Sequence, residues 1–275
     1  MYMKRILLIA TLALMAWSCA DKPFVIVQIA DAQFGFTAAD RSQREGTEYV
    51  NDLTFEMDCL SRAVEMINEM KPDVVVFTGD QVNRHDDAQQ WDAFAQTISS
   101  IDPSVKVLHI PGNHDVMISE GNVDNSTFTD RYASDRFVYV GRGVRLVGIN
   151  SNLIKYNDPG EEAQIQWMRE SLAKDSENEV SLLFSHHPFF LQEITEDDGY
   201  FQIQKAKRQG YFDLCSELDV DALYAGHLHN NSEGDYNGLP VRTTTSVAFQ
   251  IGPEQPSIRI ITVQDGSVYD ELRAI

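Results

Sequence analysis

The stretch Val105-Lys106-Val107-Leu108-His109-Ile110-Pro111-Gly112-Asn113-His114-Asp115 decides how this chain reads. A run of β-type apolar residues ends in a cluster of polar side chains, which places the cluster at the carboxyl end of a buried strand. Four other stretches repeat the design. Phe24–Ile29 runs into Asp31-Ala32-Gln33, Val74–Phe77 into Gly79-Asp80, Val180–Phe184 into His186-His187-Pro188, and Ala222–Ala225 into Gly226-His227-Leu228-His229. In open α/β sheets that edge is where ligands bind. The clusters offer Asp, Asn, Gln and His donors and no Cys, a nitrogen and oxygen set suited to Mn, Fe or Zn. The chain reads as a two-metal hydrolase.

Working outward, the pattern alternates strand, helix and strand to about residue 115 and then becomes richer in strands. Helices are expected at Asp52–Met70, Gln90–Ser99, Glu161–Lys174 and Ile203–Leu218. Further strands are expected at Arg136–Val140, Val144–Asn150, Val241–Thr244, Ser257–Val263 and Ser267–Tyr269, with turn signals such as Gly141-Arg142-Gly143 between them. This predicts an α/β fold of two packed sheets with outer helices. Ser119–Ser134 is polar and rich in Gly and Asn, so a loop near the mouth of the site is expected there. Cys59 and Cys215 fall in helical segments and read as small core residues, with a disulfide between them as the alternative.

A chain of 275 residues with 43% apolar content can bury a large core, and residues 20–275 are expected to form one domain. With 42 acidic against 22 basic side chains the net charge is −20, which disfavours binding that depends on neutralising a phosphate backbone. No nucleic-acid partner is expected. Residues 1–19 are set apart: Lys4-Arg5 followed by the apolar run Ile6–Trp17 has the regions of a secretory signal and is short for a bilayer span. The run ends at Ala16-Trp17-Ser18-Cys19, similar to the lipobox of bacterial lipoproteins although Trp17 stands where a small residue is usual. The expectation is an exported protein anchored through lipid on Cys19, on the periplasmic or outer-membrane face.

Two divalent cations about 4 Å apart need one bridging carboxylate, and a bridging water acidified to a pKa of about 7 becomes the nucleophile. Asp80 is the candidate bridge. Asp31 and His229 are assigned to one metal, with Gln33 as a weak or absent third ligand, and Asn113, His186 and His227 to the other. The glycines before Asp80, Asn113 and His227 are expected to let the backbone turn sharply. His114 follows a ligand without being one, and an imidazole there is suited to donate a proton to the leaving oxygen.

The series Asp31-x-Gln33, Gly79-Asp80, Gly112-Asn113-His114-Asp115, His186-x-Pro188 and Gly226-His227-x-His229 resembles the calcineurin-like metallophosphoesterase superfamily over nearly all of residues 24–263. Gln33, where most of that superfamily has His, is characteristic of its CPPED-type branch. The similarity extends to Ile194–Phe201 and to Gly226–Asn231. The resemblance implies a two-sheet sandwich flanked by helices in four αββα layers, a dinuclear centre, and hydrolysis of phosphoesters such as Ser/Thr phosphoproteins. In the phosphoprotein phosphatases the second motif continues to an Asp that orients the catalytic His and an Arg that binds phosphate; here those positions hold Asn83 and Arg84. Arg84, Asn113 and His114 are therefore the candidate contacts to substrate, Arg84 through its planar fork or else as a solvated loop charge.

His109, in an apolar strand, and His85, on a polar loop, read as structural, and His187 is expected to point away from the metals. Asn150-Ser151 and Tyr200 are weaker candidates for substrate contact, with a turn cap and a packing aromatic as the alternatives. Three functions are compatible with these residues. They are a phosphatase acting on a phosphoprotein or phosphorylated small molecule, a phosphodiesterase or nucleotide pyrophosphatase, and a binding lipoprotein with a weakened metal site.

Overall fold

A computed structural model describes residues 22–119, 121–176 and 179–275. The expected export segment and Cys19 lie outside the described residues. In chain order the elements are β1 (Phe24–Ile29), α1 (Phe36–Glu45), α2 (Thr54–Met70), β2 (Val74–Thr78), α3 (Ala88–Ile98), β3 (Lys106–Ile110), β4 (Met117–Ser119), β5 (Asn122–Asp124) and α4 (Ser126–Tyr132). There follow β6 (Phe137–Gly141), β7 (Val144–Gly148), α5 (Ser151–Lys155), α6 (Gly160–Leu172), β8 (Val180–Phe184), α7 (Lys205–Glu217), β9 (Ala222–Ala225), β10 (Ser232–Tyr236), β11 (Leu239–Thr243), β12 (Ser257–Gln264) and β13 (Ser267–Ala274).

The strands that lead into the clusters are apolar on both faces because each sheet is covered twice. In β1, Phe24 and Ile26 face the second sheet, whereas Val27 and Ile29 face helices. The first sheet has the order β13-β12-β1-β2-β3 and the second β10-β11-β9-β8-β7-β6. Between them Ile26, Val76 and Ile110 pack with Leu146, Leu182, Phe184 and Tyr224. Outside the first sheet Val27, Val75 and Phe77 meet Leu60, Val64 and Ile67 of α2 and Phe94 of α3. Outside the second, Leu183 and Leu223 meet Met168 and Leu172 of α6 and Phe212 and Leu214 of α7. Helix, sheet, sheet and helix form the four layers expected from the sequence. Truncating a side chain such as Leu182 to Ala in the middle layer should cost about 2–5 kcal/mol.

Within the first sheet β1, β2 and β3 run parallel, and within the second β7, β8 and β9 do. Three of the polar clusters thus leave one edge of the first sheet and two leave one edge of the second. The region expected as a loop at Ser119–Ser134 instead holds β5 and α4, because Phe128 is fully buried and packs against Trp91 and Tyr132. The strand expected at Val144–Asn150 stops at Gly148, and Asn150 caps α5 by accepting from the Asn152 N–H. Cys59 and Cys215 are buried free thiols, so the disulfide alternative is not formed. Among the described residues no helix is long and apolar enough to cross a membrane.

Candidate metal centre and active site

The clusters leave their strands through unusual backbone. Asp31, Gln33, Asp80, His227 and His229 all lie in the left-handed region, with φ of 52°, 40°, 49°, 68° and 52°. Such conformations cost non-glycine residues on the order of 1–3 kcal/mol each and persist where the surroundings impose them. The sharp turns therefore fall largely on the donor residues themselves, which corrects the expectation that the preceding glycines make them. Of those three glycines only Gly79 has a positive φ, 92°. Gly112 and Gly226 are required for close approach instead: a Cβ would stand 2.0 Å from Asp80 Oδ1 at Gly112 and 2.8 Å from Asp31 Oδ2 at Gly226.

Backbone donors fix the carboxylates. The His227 N–H donates to Asp31 at 2.9 Å, which joins the β1 loop of one sheet to the β9 loop of the other. The His114 N–H donates to Asp80 Oδ1 at 2.9 Å, and the Gln33 N–H to the Asp80 carbonyl at 2.7 Å. Asp115 is buried and accepts from the N–H groups of Gln81, Val82 and Gly112 at 2.9, 3.2 and 2.8 Å, so it pins the β2 loop to the β3 loop. Burial, followed by the charge of Asp80, pushes the carboxyl of Asp31 well above the usual carboxylate range, and that of Asp115 likewise.

The imidazoles are oriented by carbonyls, which can only accept. His186 Nδ1–H donates to Thr78 O at 2.9 Å and His229 Nδ1–H donates to Phe249 O, so both present the lone pair of Nε2 inward. His186 Nε2 lies 3.0 Å from Asn113 Oδ1, 3.0 Å from His227 Nδ1 and 3.5 Å from Asp80 Oδ2. His229 Nε2 lies 3.7 Å from Asp31 Oδ1. Burial holds His186, His227 and His229 below the usual histidine range, in the neutral form that a metal ligand requires.

This donor set fits metal ions. One group of donor atoms is Asp31, Asp80 and His186, all within 4.8 Å of one another. Among the described residues Asp31 and Asp80 have only histidines as ion-pair partners. Buried carboxylates facing neutral imidazoles, with no Lys or Arg between them, call for a cation. Gln33 is buried with its Oε1 unpartnered, and its backbone is bonded to Asp80. The structure thus brings together Asp31, Asp80, Asn113, His186, His227 and His229, with Gln33 alongside.

His187 departs from expectation. Its ring is fully buried 4.4 Å from that of His227, its Nδ1 meets Ser151 Oγ at 3.0 Å, and its donor atom groups with those of His186 and His227. Strand β8 ends at Phe184, so the strand does not set the direction of this ring. His114 is half-buried, and its Nδ1–H donates at 2.8 Å to the backbone carbonyl of Asn83. The main chain at position 83 therefore orients this ring, and the Asn side chain is not needed for it. Arg84 is at the surface, its guanidinium forked onto Asp86 at 3.3 Å. Asn150 acts as a cap, bonded also to Asp135 at 3.0 Å, whereas Ser151 supports His187. His109 is packed between Phe77 and Tyr132. Tyr200 is 63% exposed with its ring 5.3 Å from that of His227, at the mouth of the site. Two aromatics not singled out in the sequence, Phe36 and Phe249, also border it, Phe36 lying 5.7 Å from the His229 ring. The only sequence signal was the place of Phe36 three residues after Gln33, and Phe249 had none.

Residues 24–231 match the family Calcineurin-like phosphoesterase. The mouse Serine/threonine-protein phosphatase CPPED1 is 26% identical over 255 residues, covering 88% of this chain and 80% of that protein. A probable glycerophosphodiester phosphodiesterase GpdQ of Arcobacter nitrofigilis is 28% identical over 184 residues, covering 66% of this chain and 65% of its own length. Among solved structures a dimetal phosphatase from Danio rerio superposes with a TM-score of 0.62 at 20% identity, covering 91% of this chain and 99% of the other, which supports the fold. The chain belongs to the calcineurin-like phosphoesterase family and is a metallophosphoesterase, a hydrolase of phosphoric ester bonds.

Proposed function

We propose that the chain is a phosphomonoesterase with a dinuclear centre, acting on a phosphoprotein or a phosphorylated small molecule. The observation that carries this reading is the convergence of buried lone-pair donors on Asp80 with His114 alongside. Asp31, Gln33, Asp80 and His229 would hold one metal ion, and Asp80, Asn113, His186 and His227 the other, with Mn, Fe and Zn all compatible with such donors. When bound, the ions supply positive charge for the phosphoryl oxygens and acidify a water to serve as nucleophile. His114 delivers the proton to the leaving oxygen from Nε2, because its Nδ1–H is committed to the Asn83 carbonyl. The Asp80 carboxylate accepts from the His114 N–H, so ligand and acid are set by one hydrogen bond.

The test is hydrolysis of a chromogenic phosphomonoester and the matching diester by residues 21–275, stripped of metal and reloaded separately with Mn, Fe and Zn. Metal-dependent monoester turnover that falls roughly 10²- to 10⁴-fold in His114→Ala supports the reading. Preference for the diester would favour the phosphodiesterase reading, which the resemblance to the GpdQ protein also favours. No turnover with any metal would favour a binding role. The further proposal of an exported lipoprotein rests on the leader-like residues 1–19, and a mature N-terminus without lipid on Cys19 would remove it.

A further inference from the structure

The polar centre is bordered by aromatic side chains, and the side next to the proposed acid is built with particular care. Phe36 is half-buried, stands edge-on to the His114 ring at 6.5 Å and 89°, lies 5.7 Å from the His229 ring and packs on Phe249 at 4.7 Å. Ile251, 47% exposed, ties its N–H to the His229 carbonyl at 2.9 Å. The position of Phe36 is fixed from both sides: its N–H donates to Gln33 O at 2.9 Å, and the next N–H, of Thr37, donates at 2.9 Å to Glu56, a carboxyl buried under α1. Gly35, with φ of 94°, allows that approach, since a Cβ there would fall 2.3 Å from Gln90 Nε2. A half-exposed aromatic anchored in this way beside an acid is a contact surface. A flat apolar leaving group on the Phe36 side of His114 would gain a contact there that an aliphatic alcohol does not.

We propose that Phe36, backed by Phe249, is a specificity-determining residue that contacts the leaving group, and that the substrates are phosphomonoesters whose alcohol carries an aromatic or comparably flat apolar group next to the ester oxygen. This rests on the phosphomonoesterase reading above and narrows its substrate class.

The experiment compares calorimetric affinities of phenylphosphonate and methylphosphonate for Mn-loaded residues 21–275, and in parallel kcat/KM for phenyl phosphate and phosphoserine. Each is measured in the wild type, Phe36→Ala, Phe36→Leu and Tyr200→Ala. The expected result is that Phe36→Ala lowers the phenyl-to-methyl affinity ratio roughly 3- to 10-fold, the worth of one aromatic contact, and lowers the phenyl-to-serine kcat/KM ratio with it. Phe36→Leu, which keeps apolar bulk, falls between, and Tyr200→Ala changes the ratios less than Phe36→Ala. Ratios unchanged in Phe36→Ala, or moved only by Tyr200→Ala, would overturn the assignment. Phosphonate binding does not need turnover, so an inactive protein that still shows the affinity contrast would sink the hydrolase reading and leave the aromatic wall standing. Turnover without the contrast would do the reverse.

Discussion

The two sides of the centre are held by different forces. On the first sheet's side, Asp31, Asp80 and Asp115 are fixed by backbone N–H donors, some reaching from neighbouring loops and one from the other sheet. On the second sheet's side His186 and His229 are each aimed by a single backbone carbonyl, and the rings of His186, His187 and His227 also lie 4.4 to 4.9 Å apart and pack on one another, with Tyr200 and Phe201 over His227. Hydrogen bonds to a charged group have strict geometry, whereas packed rings tolerate small shifts. The carboxylate side should therefore be brittle to isosteric substitution and the imidazole side forgiving.

Four substitutions test that contrast, in falling order of effect. Asp80→Asn keeps the shape and removes the shared charge; turnover should drop by about 10³-fold, equivalent to several kcal/mol of charge stabilisation, with metal content falling in parallel. Asp115→Asn touches no donor atom of the centre but puts an amide N–H₂ among the three N–H groups that Asp115 now accepts. Metal affinity or activity should fall about 10- to 100-fold, and an unchanged variant would show that the pinning of the two loops is dispensable.

His109→Phe gives the third comparison, a half-buried imidazole packed between aromatic rings outside the centre. Burial pushes its pKa down to about 3, against about 6.5 in the unfolded chain. A group depressed in this way contributes stability that is present above the unfolded value and lost as the pH falls from 6.5 toward 3. At pH 5 the loss is about 2 kcal/mol, so His109→Phe should flatten the decline of Tm between pH 7 and pH 5. An unchanged decline would place the acid sensitivity elsewhere. Smallest is Ser151→Ala, which removes the Ser151 contact to His187 and leaves the ring packing; metal affinity should change less than about threefold. If it costs as much as Asp115→Asn, the two sides are not held differently.

What could be read in advance followed from burial. The five apolar runs are strands, and the polar groups after them converge, because a run apolar on both faces has few other destinations. The elements missed either bury little apolar surface or are short. In α1, Phe36–Glu45, only Ala38 is buried; β10, Ser232–Tyr236, buries only Gly234; and α5 is five residues long. The left-handed turns at Asp80 and His227 were misplaced onto glycines because propensity favours glycine there, and tertiary contacts overrode it. The orientation of His187 and the carbonyl behind His114 depend on where separate loops pass each other, which no local pattern encodes.

Strand β1 lies between β2 and β12, paired in parallel with one and antiparallel with the other. One of these partners follows it by about fifty residues; the second, Ser257–Gln264, is more than two hundred residues later. During synthesis the edge of β1 stays open until nearly all of the chain through β12 has emerged, and closing so distant a pair is slow. Asp31 depends for its hydrogen bond on His227, another late arrival. The centre is therefore assembled at the end of folding rather than the beginning, and a ribosome-bound chain arrested before residue 257 should bind metal poorly and be cut readily by proteases.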